Sequence, residues 1–293
     1  MGESVIGVDI GGTNIRVGLL DGRLELIRKE TALTGDFRSV DELFGLVQRL
    51  IAVVDPEGSA RKIGIALPVP WREGTERIVD STNVPCLEGL SVRQAKGYFP
   101  RHQVVLENDV NVIALLESAH GASKGRKHSM YITVSTGIGS GLILNGDIFH
   151  GANGYAGEVG GLIVSDNTLE ALCSGEALEK ASRLLFGEEA TAPMLFERYR
   201  ASDARAAGVV ALWVERFSNA IASFMQMFDP EIFVIGGSVI HHNPWLIDEV
   251  IESARNKVLD HLKEKIHAVM PAFGPDAGVI GAGYAALNHF KGA

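Results

Sequence analysis

The chain has 293 residues, enough for two domains that together bury roughly three quarters of the unfolded surface. Its net charge of −9, with no basic run longer than Lys124-Gly-Arg-Lys127, excludes nucleic acid as a partner, because phosphate backbones are held by clustered Lys and Arg. Two isolated cysteines, Cys86 and Cys173, exclude a disulfide framework and a four-cysteine zinc site.

The predicted elements then run in chain order. Val5 to Ile10 and Val17 to Leu20 are short apolar runs, the second closed by Asp21-Gly22, and together they read as a β-hairpin. Asp41 to Val54 has helical spacing, with Leu43, Leu46, Val47, Leu50, Val53 and Val54 on one face. Lys62 to Leu67 is a buried strand stopped by Pro68 and Pro70, and His102 to Leu106 is another, which delivers Glu107-Asn108-Asp109 to its end. Val110 to Gly121 reads as a helix, and Met130 to Leu144 as a second hairpin ending in Asn145-Gly146. Val209 to Phe228 is an amphipathic helix with Val210, Val214, Phe217, Ile221, Phe224 and Phe228 on one stripe. Ile232 to Ser238 is a strand running into glycines, and Asn243-Pro244 opens a helix to about Ile266. Strands alternating with helices imply α/β layers.

The two hairpins carry the chemistry. Asp9-Ile-Gly-Gly-Thr-Asn14 and Ser135-Thr-Gly-Ile-Gly139 each follow an apolar strand with a bend of nearly bare backbone, whose amides can approach an anion closely. Their recurrence nearly half a chain apart points to two related halves facing one polyphosphate, with a domain break near residue 120. Only the first copy carries an acid, Asp9, so a metal is expected on that side alone. Asp109, at a strand end, can accept the proton of a substrate hydroxyl, and Asn108 offers a donor and an acceptor to a sugar; a plain turn is the competing reading. Gly151 to Gly161 is a glycine-rich loop with one acid, Glu158, suited to polyol hydroxyls or to no ligand at all. Asn167 and Glu170 have the spacing of a capping box, so Glu170 is either structural or a ligand.

These segments, with His150-Gly-Ala-Asn-Gly154, Gly157-Glu-Val-Gly160, Asp229-Pro230, Gly236-Gly237 and Asp276-Ala-Gly-Val-Ile-Gly-Ala282, resemble the ROK (repressor, open reading frame, kinase) family of sugar kinases over nearly the whole chain. The resemblance implies an α/β, two-domain actin-like ATPase (RNase H-like) fold with mixed sheets flanked by helices and the active site in the interdomain cleft. A small domain of residues 1–118 plus 280–293, the final helix folding back, would face a large domain of residues 119–279. It implies ATP phosphates on Gly11, Gly12, Thr13, Asn14, Thr136, Gly137 and Gly139, and adenosine near Gly236 and Gly237. It also implies Mg²⁺ on Asp9 through water, Asp109 as general base, and Asn108, Asp109, Glu158 and Glu170 at the sugar. The implied reaction is ATP-dependent phosphorylation of a hydroxyl, the 6-OH, of a hexose or N-acetylhexosamine, with N-acetylmannosamine and glucose ranked first. The resemblance also implies a homodimer. An amino terminus without a basic run, and a charge-free stretch at Ser129 to Gly146 too polar to span a bilayer, lead us to expect a cytoplasmic chain with no membrane partner. One departure is large: relatives follow Gly-Glu-x-Gly with a sugar-contacting His and a zinc-binding cysteine segment, whereas Gly161 and Ser165-Asp-Asn-Thr-Leu-Glu170 stand here. No zinc is therefore expected.

Rival readings fare worse. Gly281-Ala-Gly-Tyr-Ala-Ala286 fits a dinucleotide fingerprint, but too few residues follow for a βαβ unit. No Gly-Lys-Ser or Gly-Lys-Thr of a P-loop occurs. A non-catalytic sugar-sensing regulator is the alternative to a kinase; the sequence opens on its first strand, without the DNA-binding segment that family repressors carry in front. Met1-Gly2 starts like a myristoylation signal, but Ile6 stands where Ser or Thr is needed.

Overall fold

A computed structural model describes residues 3–35 and 37–290. Met1 and Gly2, where the lipidation signal was sought, lie outside the described residues. The chain forms two compact units, the first comprising Met1–Ala119, Ile148–Ala156 and Phe273–Ala293, the second His120–Asp147 and Gly157–Ala272. No helix of the described residues is long and apolar enough to cross a membrane.

In the first unit, β1 (Val5–Ile10), β2 (Asn14–Leu20), β3 (Leu26–Leu33), β4 (Lys62–Leu67) and β5 (Gln103–Asn108) form one mixed sheet in the order β3-β2-β1-β4-β5. β1 pairs antiparallel with β2 and parallel with β4, which pairs parallel with β5. The predicted hairpin is thus extended by a third strand. β3 is an edge strand with a mostly exposed, charge-rich face, so it lacks the apolar alternation that sequence reading relies on. Helix α1 (Val40–Val54) begins at Ser39, whose side chain accepts from Glu42 N, and buries Leu43, Phe44, Val47, Ile51 and Val54. Its inner face is turned from the predicted one: Val53 is exposed, and Phe44 and Ile51 lie inside. A short α2 (Val92–Gly97) carries a capping box of Ser91 and Gln94, and α3 (Asp109–His120) follows β5 directly.

The second unit repeats the plan. β6 (Ser129–Val134), β7 (Ile138–Leu144), the two-residue β8 (Asp147–Ile148), β11 (Ile232–Gly236) and β12 (Ala268–Val269) are ordered β12-β11-β6-β7-β8. Here β6 and β7 are antiparallel, and β6, β11 and β12 run parallel, so read from the other edge the two sheets share one strand plan. A minimal ribbon of β9 (Ile163–Val164) and β10 (Asn167–Thr168) leads into α4 (Leu169–Cys173), α5 (Gly175–Phe186) and α6 (Ala192–Arg200). Helix α7 (Ala204–Phe228) is capped by Asp203 and buries Val210, Trp213, Phe217, Ile221 and Phe224 against the sheet, close to the predicted stripe. The helix expected from Asn243 to about Ile266 is instead broken. A one-turn α8 (Ser238–His242) ends at Asn243, α9 covers Leu246–Arg255, and a separate 3-10 turn covers Asp260–Lys265. Asn256 closes α9, its amide donating to Glu252 O.

The last helix, α10 (Ala277–His289), packs in the first unit on the face of the sheet opposite α1. Period-2 alternation along β1 explains how. Ile6, Val8 and Ile10 belong to the α1 core, whereas Val5, Gly7 and Asp9 descend along α10 from Ala286 to Gly278. A Cβ on Gly7 would overlap the carbonyl of Val279, and one on Gly64 that of Ala282. The glycines of the rejected dinucleotide fingerprint serve helix packing instead: a Cβ at Gly281 would stand 2.5 Å from Val112 O of α3, and one at Gly283 would stand 2.7 Å from the Leu20 side chain of β2.

Candidate active site

In the first unit, parallel strands β1, β4 and β5 end side by side, with Asp9, Ala66 and Glu107 in register. Asp9 and the Glu107-Asn108-Asp109 end therefore stand two strand spacings apart, roughly 10 Å. Beyond Asp9 the bend is pinned by Gly11 N donating to Asn14 O (2.9 Å), Thr34 Oγ1 donating to Gly11 O (2.7 Å) and Thr34 N donating to Thr13 O (2.8 Å). Gly12 and Thr13 are exposed, and their amides donate to no protein group among the described residues. They are free to meet an anion.

Asp9 itself is buried. Arg16, its partner across the hairpin, pairs with Oδ2 at 3.1 Å. Burial pushes the Asp9 carboxyl above the ordinary range, and Arg16 offsets part of that rise. A Cβ at Gly278 would stand 2.6 Å from Asp9 Oδ2, so only glycine lets the first turn of α10 approach this carboxylate. The positive end of a helix favours the ionised form there.

At the β5–α3 junction, Glu107 is buried and uses both oxygens: Oε1 accepts from Asn108 N (2.8 Å) and Asn111 Nδ2 (3.1 Å), and Oε2 meets His150 Nε2 at 2.8 Å. Asn108 is buried too. Its Oδ1 accepts from Val110 N and Asn111 N, and its Nδ2 donates to Val69 O at 3.0 Å. Most of its hydrogen-bonding capacity thus shapes the turn that presents Asp109, whose Oδ1 accepts from Val110 N. The sequence reading missed Glu107, His150 and Arg16 as parts of this arrangement. Their signal was register across a sheet and contact across long separations.

In the second unit, the bend at Ser135–Gly137 is closed by Ser135 N donating to Gly137 O (2.9 Å), while Ser135 O and Thr136 O accept from the first two amides of α5, Gly175 and Glu176. Gly139 pairs with Thr133 in the adjoining ladder. Glu170 does not complete a capping box with Asn167: Thr168 is the N-cap and accepts from Ala171 N, whereas Glu170 reaches across to accept from Ile138 N at 2.8 Å. Its carboxylate also lies against Gly137 and Gly160. Glu158 is exposed and opens the 3-10 turn Val159–Gly161, fixed by Ser140 Oγ donating to Gly157 O at 2.8 Å. Gly237, with φ +91°, brings its backbone so near Val134 O that any side chain would clash. It passes the chain to Ser238, whose N donates to Ser135 Oγ.

Beside this bend lies a cavity of about 510 Å³, lined by Thr136, Glu176, Phe196, Arg200, Ser238 and Asn243 among others. That volume suits a small organic ligand. Arg200 donates to Asn243 Oδ1 at 2.8 Å on its rim. Read from sequence, Asn243 was only a helix start; buried at the end of α8, it holds the cavity wall. Among the described residues no three or more His, Cys, Asp and Glu side chains converge as a metal cluster. Cys173 is buried, and burial pushes its thiol up to about 12.

A mixed five-strand sheet, repeated with the same strand plan and with a glycine bend after the first strand of each copy, defines the two-domain actin-like ATPase fold. Within it the chain belongs to the ROK family, whose model matches residues 5–289. The chain is 28% identical to the glucokinase of Thermotoga maritima over 308 aligned residues, covering 95% of both proteins. It resembles the crystal structure of the ROK hexokinase from Thermus thermophilus (TM-score 0.85, 28% identity, 99% of this chain and 100% of that one). It shares its fold with a ROK glucokinase from Streptomyces griseus determined with glucose and AMPPNP (TM-score 0.81, 22% identity, 97% and 99% covered).

Proposed function

We propose that the protein is an ATP-dependent, Mg²⁺-requiring kinase that phosphorylates the 6-hydroxyl of a hexose or N-acetylhexosamine, glucose and N-acetylmannosamine being the first to test. The observation that carries this reading is Asp109, presented by a rigid turn at the end of β5 in the unit that also holds the open amides of Gly12 and Thr13. Family membership and the kinase relatives support it.

Asp109 accepts the proton of the sugar hydroxyl as that oxygen bonds to the γ-phosphorus and the bond to the leaving ADP oxygen breaks. The open amides of Gly12 and Thr13, with those of Asn14, Thr136 and Gly137, donate to the phosphate oxygens. Gly11, whose amide is already taken by Asn14 O, and Gly139, paired with Thr133 in the β6–β7 ladder, let the backbone come close instead. The cavity lined by Thr136 and Ser238, the residue that directly follows Gly236 and Gly237, takes the nucleoside. Asn108, Glu158 and Glu170 orient the sugar. One buried carboxylate beside a phosphate bend fits Mg²⁺, which keeps most of its waters and takes one or two carboxylates together with phosphate oxygens. Asp9 would hold it through water, and the ion would neutralise charge on the phosphates.

Coupled ADP release with a panel of sugars tests the activity, and Asp109→Asn tests the base. Turnover should fall on the order of 10²–10⁴-fold while sugar still binds. Full turnover in that variant removes Asp109 from the role, and ADP release with none of the sugars rejects the kinase.

A further inference from the structure

The segment 148–156 belongs to the first unit, although the chain on either side of it belongs to the second. It is tied down at three points. Trp71 N donates to Gly154 O at 3.1 Å, the Tyr155 hydroxyl donates to the Asp80 carboxylate, and His150 Nε2 meets Glu107 Oε2 at 2.8 Å. A Cβ on Gly154 would stand 2.9 Å from the Trp71 carbonyl carbon, so the segment lies in backbone contact with the Trp71–Arg72 peptide.

The His150 contact differs from the other two because of what its partner does. Glu107 is buried and accepts through its other oxygen from Asn108 N and Asn111 Nδ2, the groups on either side of Asp109. An ionised carboxylate only accepts, so the Nε2 of His150 carries the proton between them. One carboxylate therefore joins the turn that presents Asp109 to the segment that runs, two residues after its end, into Glu158. Removing His150 leaves a buried Glu107 oxygen without its donor and unfastens the segment at that end.

We infer that His150 is a positioning residue of the acceptor-sugar site, acting through Glu107 to fix Asn108 and Asp109 and to hold the segment leading to Glu158. The inference rests on the kinase reading above. It predicts an effect confined to the sugar, since His150 touches neither glycine bend.

The test compares wild type, His150→Ala, His150→Gln and His150→Asn for kcat and for the KM of sugar and ATP separately, with Asp109→Asn alongside. His150→Ala should raise the sugar KM about 10-fold or more and leave the ATP KM within about two-fold, the size expected for a lost hydrogen bond to a charged group. His150→Gln, whose longer amide reaches the same Glu107 oxygen, should recover most of that loss, and His150→Asn, too short to reach, should not. An unchanged sugar KM in His150→Ala, equal losses for both substrates, or Gln no better than Asn each overturns the inference. Should His150→Ala fail to fold, the Gln and Asn pair decides. Full turnover of Asp109→Asn with the sugar KM still shifted in the His150 variants would sink the base assignment and leave His150 in place.

Discussion

Asp9 and Asp55 are buried carboxylates at the ends of regular elements, and their surroundings move them in opposite directions. Burial raises Asp9, and Arg16 only partly offsets it. For Asp55, at the end of α1, burial works the same way, but donation from Ala60 N, Ser59 N and Ser59 Oγ at 2.9 Å outweighs it and holds the carboxyl below its usual range. A folded-state value below the unfolded one means that the unfolded chain binds more protons at acid pH. The stability from Asp55 is therefore complete above about pH 4 and lost as pH falls through the folded value. Asp55→Asn should cost about 1–3 kcal/mol at pH 7 by urea denaturation. The gap to wild type should close below about pH 4; a gap unchanged at pH 3 would assign the loss to packing. The residue types of the site were legible in the sequence because glycine bends and strand-end acids are local features. The hydrogen-bond partner of Glu170 was not, because Thr168 and Asn167 are both adequate caps and only the approach of β7 gives the acid another donor.

At the scale of elements, legibility follows burial pattern. β1, β4 and β6 were read within a residue or so because they are continuous apolar runs, whereas β3, exposed and charged at the sheet edge, gave no signal. The packing of α10 on the sheet depends on glycines from distant parts of the chain. Gly64→Ala should lower stability by about 1–3 kcal/mol or more in chemical denaturation, because the added methyl meets the Ala282 backbone, which cannot yield as a side chain would. Gly161→Ala is the control: a Cβ there meets nothing within 4 Å, and stability should change by no more than about 0.5 kcal/mol. Equal effects at the two positions would refute the backbone-contact account.

At the scale of the whole molecule, the internal echo of two glycine hairpins corresponds to two sheets of one strand plan. Where the chain crosses between units was harder to read. The first crossing falls at Ala119, the return at Phe273, and the excursion of 148–156 has no compositional mark. With only two cysteines, widely separated in the sequence, the purified protein is expected to carry no stoichiometric zinc, and EDTA should leave its thermal unfolding unchanged. One zinc per chain in elemental analysis would contradict this.

The sequence by itself determined the α/β class, the duplication, both glycine bends and the strand-end acid, since each is written in contiguous residues whose spacing or φ requirement is local. Tertiary structure alone decided that Glu107 joins His150 to the Asp109 turn, that Arg16 faces Asp9, that Asn243 walls a cavity and that α10 lies on Gly7 and Gly64. Those contacts depend on strand register and on chain segments tens to hundreds of residues apart, and hydrophobic periodicity carries no information about either.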